Sequence, residues 1–255
     1  MAASIELIAV PGLPMVEPGY DLAEMVHSAM AIAGLQLQDR DVVVFAQKVV
    51  SKSEGRRIEL TDVVPSPRAL EIAAEVRKDP RLVELVLRES KRIVRKIPDV
   101  LIVEHRLGLV MANAGIDQSN VADPASGEQA LLLPVDPDGS AERLRADFRR
   151  ISGRDVGVVI NDSFGRPWRQ GTVGVAIGCA GLPALVDLRG TPDLFGRTLK
   201  VTVIAYADEI AAAASLLMGQ ATEGRPVVIV RGLEATQAPA PATSIVRDAR
   251  EDLFQ

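Results

Sequence analysis

The chain alternates apolar runs with polar punctuation, and the period of each run predicts its element. "SIELIAV" reads as a strand, "PGLPMVEPGYD" as a loop, and "DVVVFAQKVVSK" as a buried strand running into a polar turn. Between the last two, "DLAEMVHSAMAIAG" places Leu22, Met25, Val26, Ala29 and Ala33 on one helical face, with Asp21 as N-cap and Gly34 at the stop. "SPRALEIAAEVRK" and "DPRLVELVLRES" each open on a capping residue followed by proline, which predicts two helices. "DVLIVEHRLGLVMANAGID" supplies two strand-like segments, and "SAERLRADFRRISG" a further helix.

The second half repeats the alternation less regularly. It runs through strand "VGVVI", the Gly-rich apolar stretch "GTVGVAIGCAGLPALVDL", strand "LKVTVIAYA", helix "DEIAAAASLLMG" and strand "PVVIVRG". "ATQAPAPATS" reads as a Pro/Ala linker to a short C-terminal helix, "IVRDAREDLF". Helices and strands are mixed without clean βαβ units, so the pattern predicts an α+β fold with mixed sheets.

Composition narrows the function classes. A chain of 255 residues that is 47% hydrophobic buries a sizeable core, as one large domain or two interlocked smaller ones. No stretch approaches the roughly 18 uninterrupted apolar residues of a membrane helix, and the N-terminus does not read as a secretion signal, so a cytoplasmic protein is expected. Cys179 is the only cysteine, which excludes an intrachain disulfide, and its setting in "VAIGCAGL" reads as a small core residue. A net charge of −5 and 3% aromatic residues argue against nucleic-acid and membrane-surface partners.

Chemistry is then sought in loops. Neither G-x-x-x-x-G-K-[ST] nor a strand-to-helix G-x-G-x-x-G occurs. In "QKVVSKSEGR", Lys48, Lys52, Ser51, Ser53 and Gly55 form either an anion-binding turn or a solvated basic one. Asp117 in "ANAGIDQSN" and Asp162 in "NDSFGRPWRQG" each follow an apolar strand and have oxygen donors nearby, Asn120 and Ser163. That suits a hard cation, and it equally suits acids bonded to their own turns. Arg166, Trp168 and Arg169 in the second loop read either as a clamp on an anionic, ring-bearing ligand or as a surface ion-pair loop. A nucleophile elbow G-x-S-x-G is absent, which argues against a serine hydrolase.

Five stretches in order, "DVVVFAQKVVSKSEGR", "HRLGLVMANAGIDQSNV", "LLLPVDPDGSAERLR", "VVINDSFGRPWRQGTVGVAIGCAGL" and "ADEIAAAASLLMGQATEGRPVVIVRG", resemble the coenzyme F420-0:L-glutamate ligase family, also called gamma-glutamyl ligase. The likeness runs from about residue 5 to the final "EDLF". It implies a ligase domain over residues 1–238, built as two interlocked subdomains, with 239–255 a linker and helix of the same domain. It also implies a homodimer and GTP-driven amide formation between coenzyme F420-0 and L-glutamate through an acyl phosphate, with Mg²⁺ or Mn²⁺ and K⁺. Some relatives carry a further flavin-binding domain for which this chain has no room, so ligation alone is expected.

Residue by residue, the resemblance implies nucleotide contacts at Leu13, Pro14, Met15, Val16, Gln47, Lys52 and Asn120. A second nucleotide loop is implied at Met218, Gly219, Gln220, Ala221, Thr222, Glu223, Gly224 and Arg225. The implied metal ligands are Asp117, Asp162, Ser163 and Gln220, with Lys52 and Asp162 central to catalysis. Arg166, Trp168 and Arg169 are assigned here to the anionic deazaflavin substrate. A metal-dependent nucleotide phosphohydrolase and a non-catalytic nucleotide-binding module are the competing readings, since either would use the same acids and lysine.

Overall fold

The longest apolar runs become the centre of a five-stranded sheet. The computed structural model describes residues 3–121, 127–234 and 237–251. The sheet runs in the order β1 (Glu6–Ala9), β12 (Val227–Arg231), β2 (Val42–Ala46), β8 (Gly157–Arg166), β9 (Arg169–Ala180). β2 and β8 are parallel, while β1–β12, β12–β2 and β8–β9 pair antiparallel.

Period-two alternation gives this sheet two apolar faces. Val43, Phe45, Val158, Ile160 and Ile229 face α1 (Leu22–Ile32) and α5 (Pro137–Ser152), where Phe45 and Phe148 stack with ring centroids 6.1 Å apart. Val42, Val44, Val159, Val228 and Val230 face α6 (Tyr206–Met218). Each fully buried Val or Ile contributes about 1.5–3 kcal/mol to the stability of this three-layer body.

A smaller part is inserted between α2 (Gln47–Ser53) and α5. It contains the pair β3 (Arg57–Glu59) and β7 (Gln129–Leu131), and the three-stranded sheet β4 (Ser90–Ile97), β5 (Val100–His105), β6 (Val110–Ala112). Ile72 and Val76 of α3 (Pro67–Val76) and Val83 and Val86 of α4 (Pro80–Arg88) pack on Leu101 and Val103 of β5. The architecture is α+β, and the chain enters and leaves the smaller part from the same body.

Helix starts follow the expected chemistry. The side chains of Asp21, Ser66, Asp79 and Asp136 accept from the backbone N–H groups of Glu24, Ala69, Arg81 and Gly139. Proline occupies the first turn of α3, α4 and α5. Met30 rather than Ala33 completes the buried face of α1.

Several expectations are corrected. "QKVVSKS" is a helical turn, α2, because Val49 and Val50 dock on the core and draw the backbone into a helix. "NDSFGRPWRQG" is no loop: β8 and β9 continue through it as a hairpin that turns at Pro167–Trp168. Residues 90–97, partly assigned to a helix end, form β4, and "LKVTVIAYA" contributes only the two-residue strand β11 (Val203–Ile204), which pairs with β10 (Val186–Asp187). α5 starts at Pro137, three residues before the expected serine.

The C-terminal helix does not form within the described residues, which hold 3-10 turns at Ala242–Ile245 and Ala249–Glu251; the remainder of the expected helix lies outside them. The preceding segment is no free linker either. Ala240 N–H donates to Leu182 O, and Asp138 accepts from Ala242 and Thr243, so the chain is fastened to the body.

Within the Gly-rich stretch, Gly174 and Gly178 serve close packing within the chain. A Cβ on Gly174 would lie 2.5 Å from the Ala211 carbonyl oxygen on α6, and one on Gly178 would lie 2.6 Å from the Pro137 carbonyl carbon on α5. Cys179 is buried as expected, and its thiol pKa is pushed up to about 12 by burial and by Asp138.

Candidate active site

A cleft of about 550 Å³ opens at the carboxyl end of β2, where its parallel pairing with β8 ends at Ala46 and Asn161. Open α/β sheets characteristically bind ligands outside the carboxyl ends of parallel strands, because chain segments diverge there and leave a crevice. Leu13–Val16 from the loop after β1 and Met218–Pro226 from the end of α6 onward line its walls. The floor comes from α2, from Asp117, Ser119 and Asn120 after β6, and from Asn161–Ser163 on β8.

β8 carries its acid into the cleft at an irregularity. Ile160 pairs with Gly178 and Asn161 with Ala176, leaving Ile177 as an extra residue on β9 opposite the Ile160–Asn161 step, directly before Asp162. Bulges of this kind re-aim side chains. Burial pushes the Asp162 pKa up to about 6; a hydrogen bond from Ser163 N–H works against this, Asp117 adds repulsion, and Lys48 offsets part of it.

Asp117 behaves oppositely. Burial would raise its pKa, but Lys48 at 2.7 Å and the backbone and hydroxyl of Ser119 outweigh that and leave it lowered. The segment before it is strained: Asn113, Ala114 and Gly115 have φ of 52°, 54° and 67°. Two non-glycine residues in this left-handed region cost on the order of 1 kcal/mol each. Such an outlier is tolerated where the surrounding structure fixes it, here by the β-bridge between Asp117 and Leu131.

Lys52 is buried on α2, and its only hydrogen bond among the described residues goes to Asn120 O at 2.7 Å. Burial lowers its pKa, Arg57 and Lys48 lower it further, and Glu17 opposes them. A buried ammonium held by one carbonyl lacks a neutralising charge, which an anionic ligand would supply. The loop after α6 is tied to this floor by Asn120 Nδ2 donating to Ala221 O and by Ser163 Oγ donating to Gln220 Oε1 at 2.7 Å.

All the residues expected to contact nucleotide line this one cleft: Leu13–Val16, Gln47, Lys52, Asn120 and Met218–Arg225. So do Asp117, Asp162, Ser163 and Gln220. Two carboxylates, a hydroxyl and an amide oxygen make an all-oxygen donor set that fits a hard divalent cation, and the raised Asp162 pKa marks a carboxylate short of positive charge. No group of three or more His, Cys, Asp or Glu suited to a metal occurs among the described residues, so carboxylates alone would not complete a coordination shell.

Arg166, Trp168 and Arg169 are placed elsewhere. They lie at the hairpin tip and line no part of the cleft; Trp168 is 90% exposed with φ of 64°, and Arg166 donates to Gly171 O.

Lys48, read from sequence as part of an anion-binding or solvated basic turn, is the cation paired with Asp117. Other cleft residues have no sequence-based assignment: Ser119 and Thr172 line the wall. Asn161, 5% exposed, donates to Ser215 Oγ and Met218 Sδ and so fixes the end of α6 to β8, while its buried Oδ1 has no partner among the described residues. Its one signal was its place directly before Asp162 at the end of an apolar strand.

Comparison with known proteins identifies the family. The family model for F420-0:gamma-glutamyl ligase matches residues 12–232. A coenzyme F420:L-glutamate ligase from Methanothermobacter thermautotrophicus is 50% identical over 228 residues, 89% of each chain. Proteins of the same name from Methanopyrus kandleri and Archaeoglobus fulgidus are 47% and 44% identical, over 99% and 98% of this chain and 98% and 96% of theirs. No helix among the described residues is long and apolar enough to cross a membrane.

Proposed function

We propose, from the premise that this chain belongs to the F420-0:gamma-glutamyl ligase family, that it joins L-glutamate to the carboxylate of coenzyme F420-0 with GTP as phosphoryl donor. The observation that carries the reading is the buried, unneutralised Lys52 in a cleft that also gathers Asp117, Asp162 and the loop from Met218 to Arg225.

A carboxylate does not react with an amine at neutral pH, so it is first activated. A carboxylate oxygen of F420-0 attacks the γ-phosphorus of GTP, the bond to the β-phosphate oxygen breaks, and GDP leaves. The amine of L-glutamate then attacks the acyl carbon, inorganic phosphate departs with the C–O electron pair, and the nitrogen gives up a proton.

Lys52 places a fixed positive charge beside the phosphates, where charge builds on the bridging oxygen. Leu13–Val16 and the loop from Met218 to Arg225 enclose the nucleotide and limit water, which would otherwise hydrolyse the acyl phosphate. Mg²⁺ or Mn²⁺, held by Asp117, Asp162, Ser163 and Gln220, would supply further neutralisation of phosphate oxygens.

Mass spectrometry of products from F420-0, GTP, Mn²⁺ and L-glutamate tests the reading. The expected result is a glutamyl adduct with GDP release that depends on both F420-0 and glutamate. GDP release indifferent to glutamate would identify a phosphohydrolase instead, and nucleotide binding with no turnover would identify a binding module.

A further inference from the structure

A second cavity of about 320 Å³ lies on the other side of Asp117 and Ser119, which line both spaces. Its walls differ in character. Lys78 stands on the connection from α3 to α4, Asn113 on the strained turn after β6, and Leu82, Val83, Val86 and Ile116 lie along the cavity lining. Among the described residues, neither polar group is spent on the fold. The acids nearest Lys78 in sequence are held by other cations, Asp79 by Arg81 and Glu75 by Lys96, each at 2.6 Å. Asn113 Oδ1 is buried and accepts no hydrogen bond among the described residues.

We propose that this cavity is the amino-acid subsite, holding L-glutamate with a carboxylate toward Lys78, its methylenes on the apolar wall and its amine toward Asn113 and Asp117. The proposal rests on the ligase reading above and adds where the amine substrate sits. An unpaired ammonium on one wall and an unpaired acceptor on another match a zwitterion, whose ends carry opposite charges. The volume suits an amino acid and is too small for a deazaflavin bearing a ribityl phosphate. Because Asp117 and Ser119 form the shared boundary, an amine at that end faces the cleft in which the acyl phosphate would form. The left-handed turn at Asn113–Gly115 then has a purpose, since it brings Asn113 and Asp117 into the lining of the same cavity.

Lys78→Met and Asn113→Gly test the assignment, the latter chosen because glycine accepts the positive φ without strain. Steady-state kinetics should show KM for L-glutamate raised roughly 10- to 100-fold in each variant, as expected for loss of one charge-assisted hydrogen bond. KM for GTP and for F420-0 should stay within about twofold of wild type, as for loss of an interaction with a single substrate. Glutarate, which keeps the carboxylates and lacks the amine, should compete with L-glutamate in the wild type and lose that competition in Lys78→Met. Active variants with unchanged KM for glutamate, or a shift in KM for F420-0 instead, would overturn the subsite while leaving the ligase reading intact. A wild-type protein with no glutamate-dependent turnover would overturn both.

Discussion

Replacing Asp162 with asparagine should make the metal-free protein more stable while removing most of its activity. The Asp162 carboxyl titrates at about 6 in the fold against an ordinary 3.8, because it is buried and faces Asp117. Holding it ionised above pH 6 therefore costs the folded state about 3 kcal/mol, at about 1.4 kcal/mol per pKa unit. Asparagine removes the charge and keeps an oxygen to accept from Ser163 N–H.

The sign follows from linkage. Between pH 4 and 6 the folded state binds more protons at this site than the unfolded chain does, so wild-type stability falls as pH rises through that window. The variant lacks this slope. At pH 7.5 in chelator its Tm should exceed wild type by up to roughly 10 °C, given about 2–4 °C per kcal/mol for a chain of this size. The difference should vanish toward pH 4, where both side chains are neutral. Turnover should fall at least about 100-fold and recover in part with excess Mn²⁺. A variant less stable than wild type at pH 7.5 in chelator, or one with wild-type turnover and an unchanged Mn²⁺ requirement, would refute the electrostatic account of Asp162.

Lys52→Ala should slow GTP-dependent turnover by about 30- to 1000-fold through loss of roughly 2–4 kcal/mol of charge stabilisation, and unchanged kcat would remove Lys52 from the phosphate site. Asn161→Ala should raise KM for GTP roughly tenfold, since the end of α6 that leads into the loop loses its hydrogen bonds from β8 at Ser215 and Met218, and an unchanged KM would show that the loop is positioned without them. Mn²⁺ affinity, measured by calorimetry, should weaken as pH falls below about 6, because Asp162 takes up a proton there; flat affinity from pH 5 to 7 would argue against Asp162 as a ligand. Light scattering should give about twice the 27.2 kDa chain mass if the implied homodimer forms, and a monomer at micromolar protein would reject it.

Elements with a local chemical signature were legible in the sequence. Asp79–Pro80 and Ser66–Pro67 announced α4 and α3, and the same pairing at Asp136–Pro137 would have set the start of α5 correctly. β4 has no period-two signature for a physical reason: register shifts after Ser90 and Ile93 break its alternation and spread its half-buried positions three apart. The hairpin of β8 and β9 was hidden because its outer half leaves the core, so its residues are polar, and because Pro167–Trp168 lacks an Asn-Gly or Asp-Gly turn signal. The two acids stood out singly at strand ends. That Asp117, Asp162 and Gln220 meet follows from strand order, which no local pattern encodes, and only the family resemblance had linked them.

The inserted part hangs between α2 and α5, and the cleft draws one acid from it, Asp117, and the other, Asp162, from the main sheet. Without ligand, the Lys48–Asp117 ion pair helps clasp that boundary from the main-body side. Whatever fills the cleft is therefore a staple across two separately packed cores. Occupancy should be legible far from the chemistry, as slower proteolysis and amide exchange throughout residues 57–131, with the rest of the main sheet little changed.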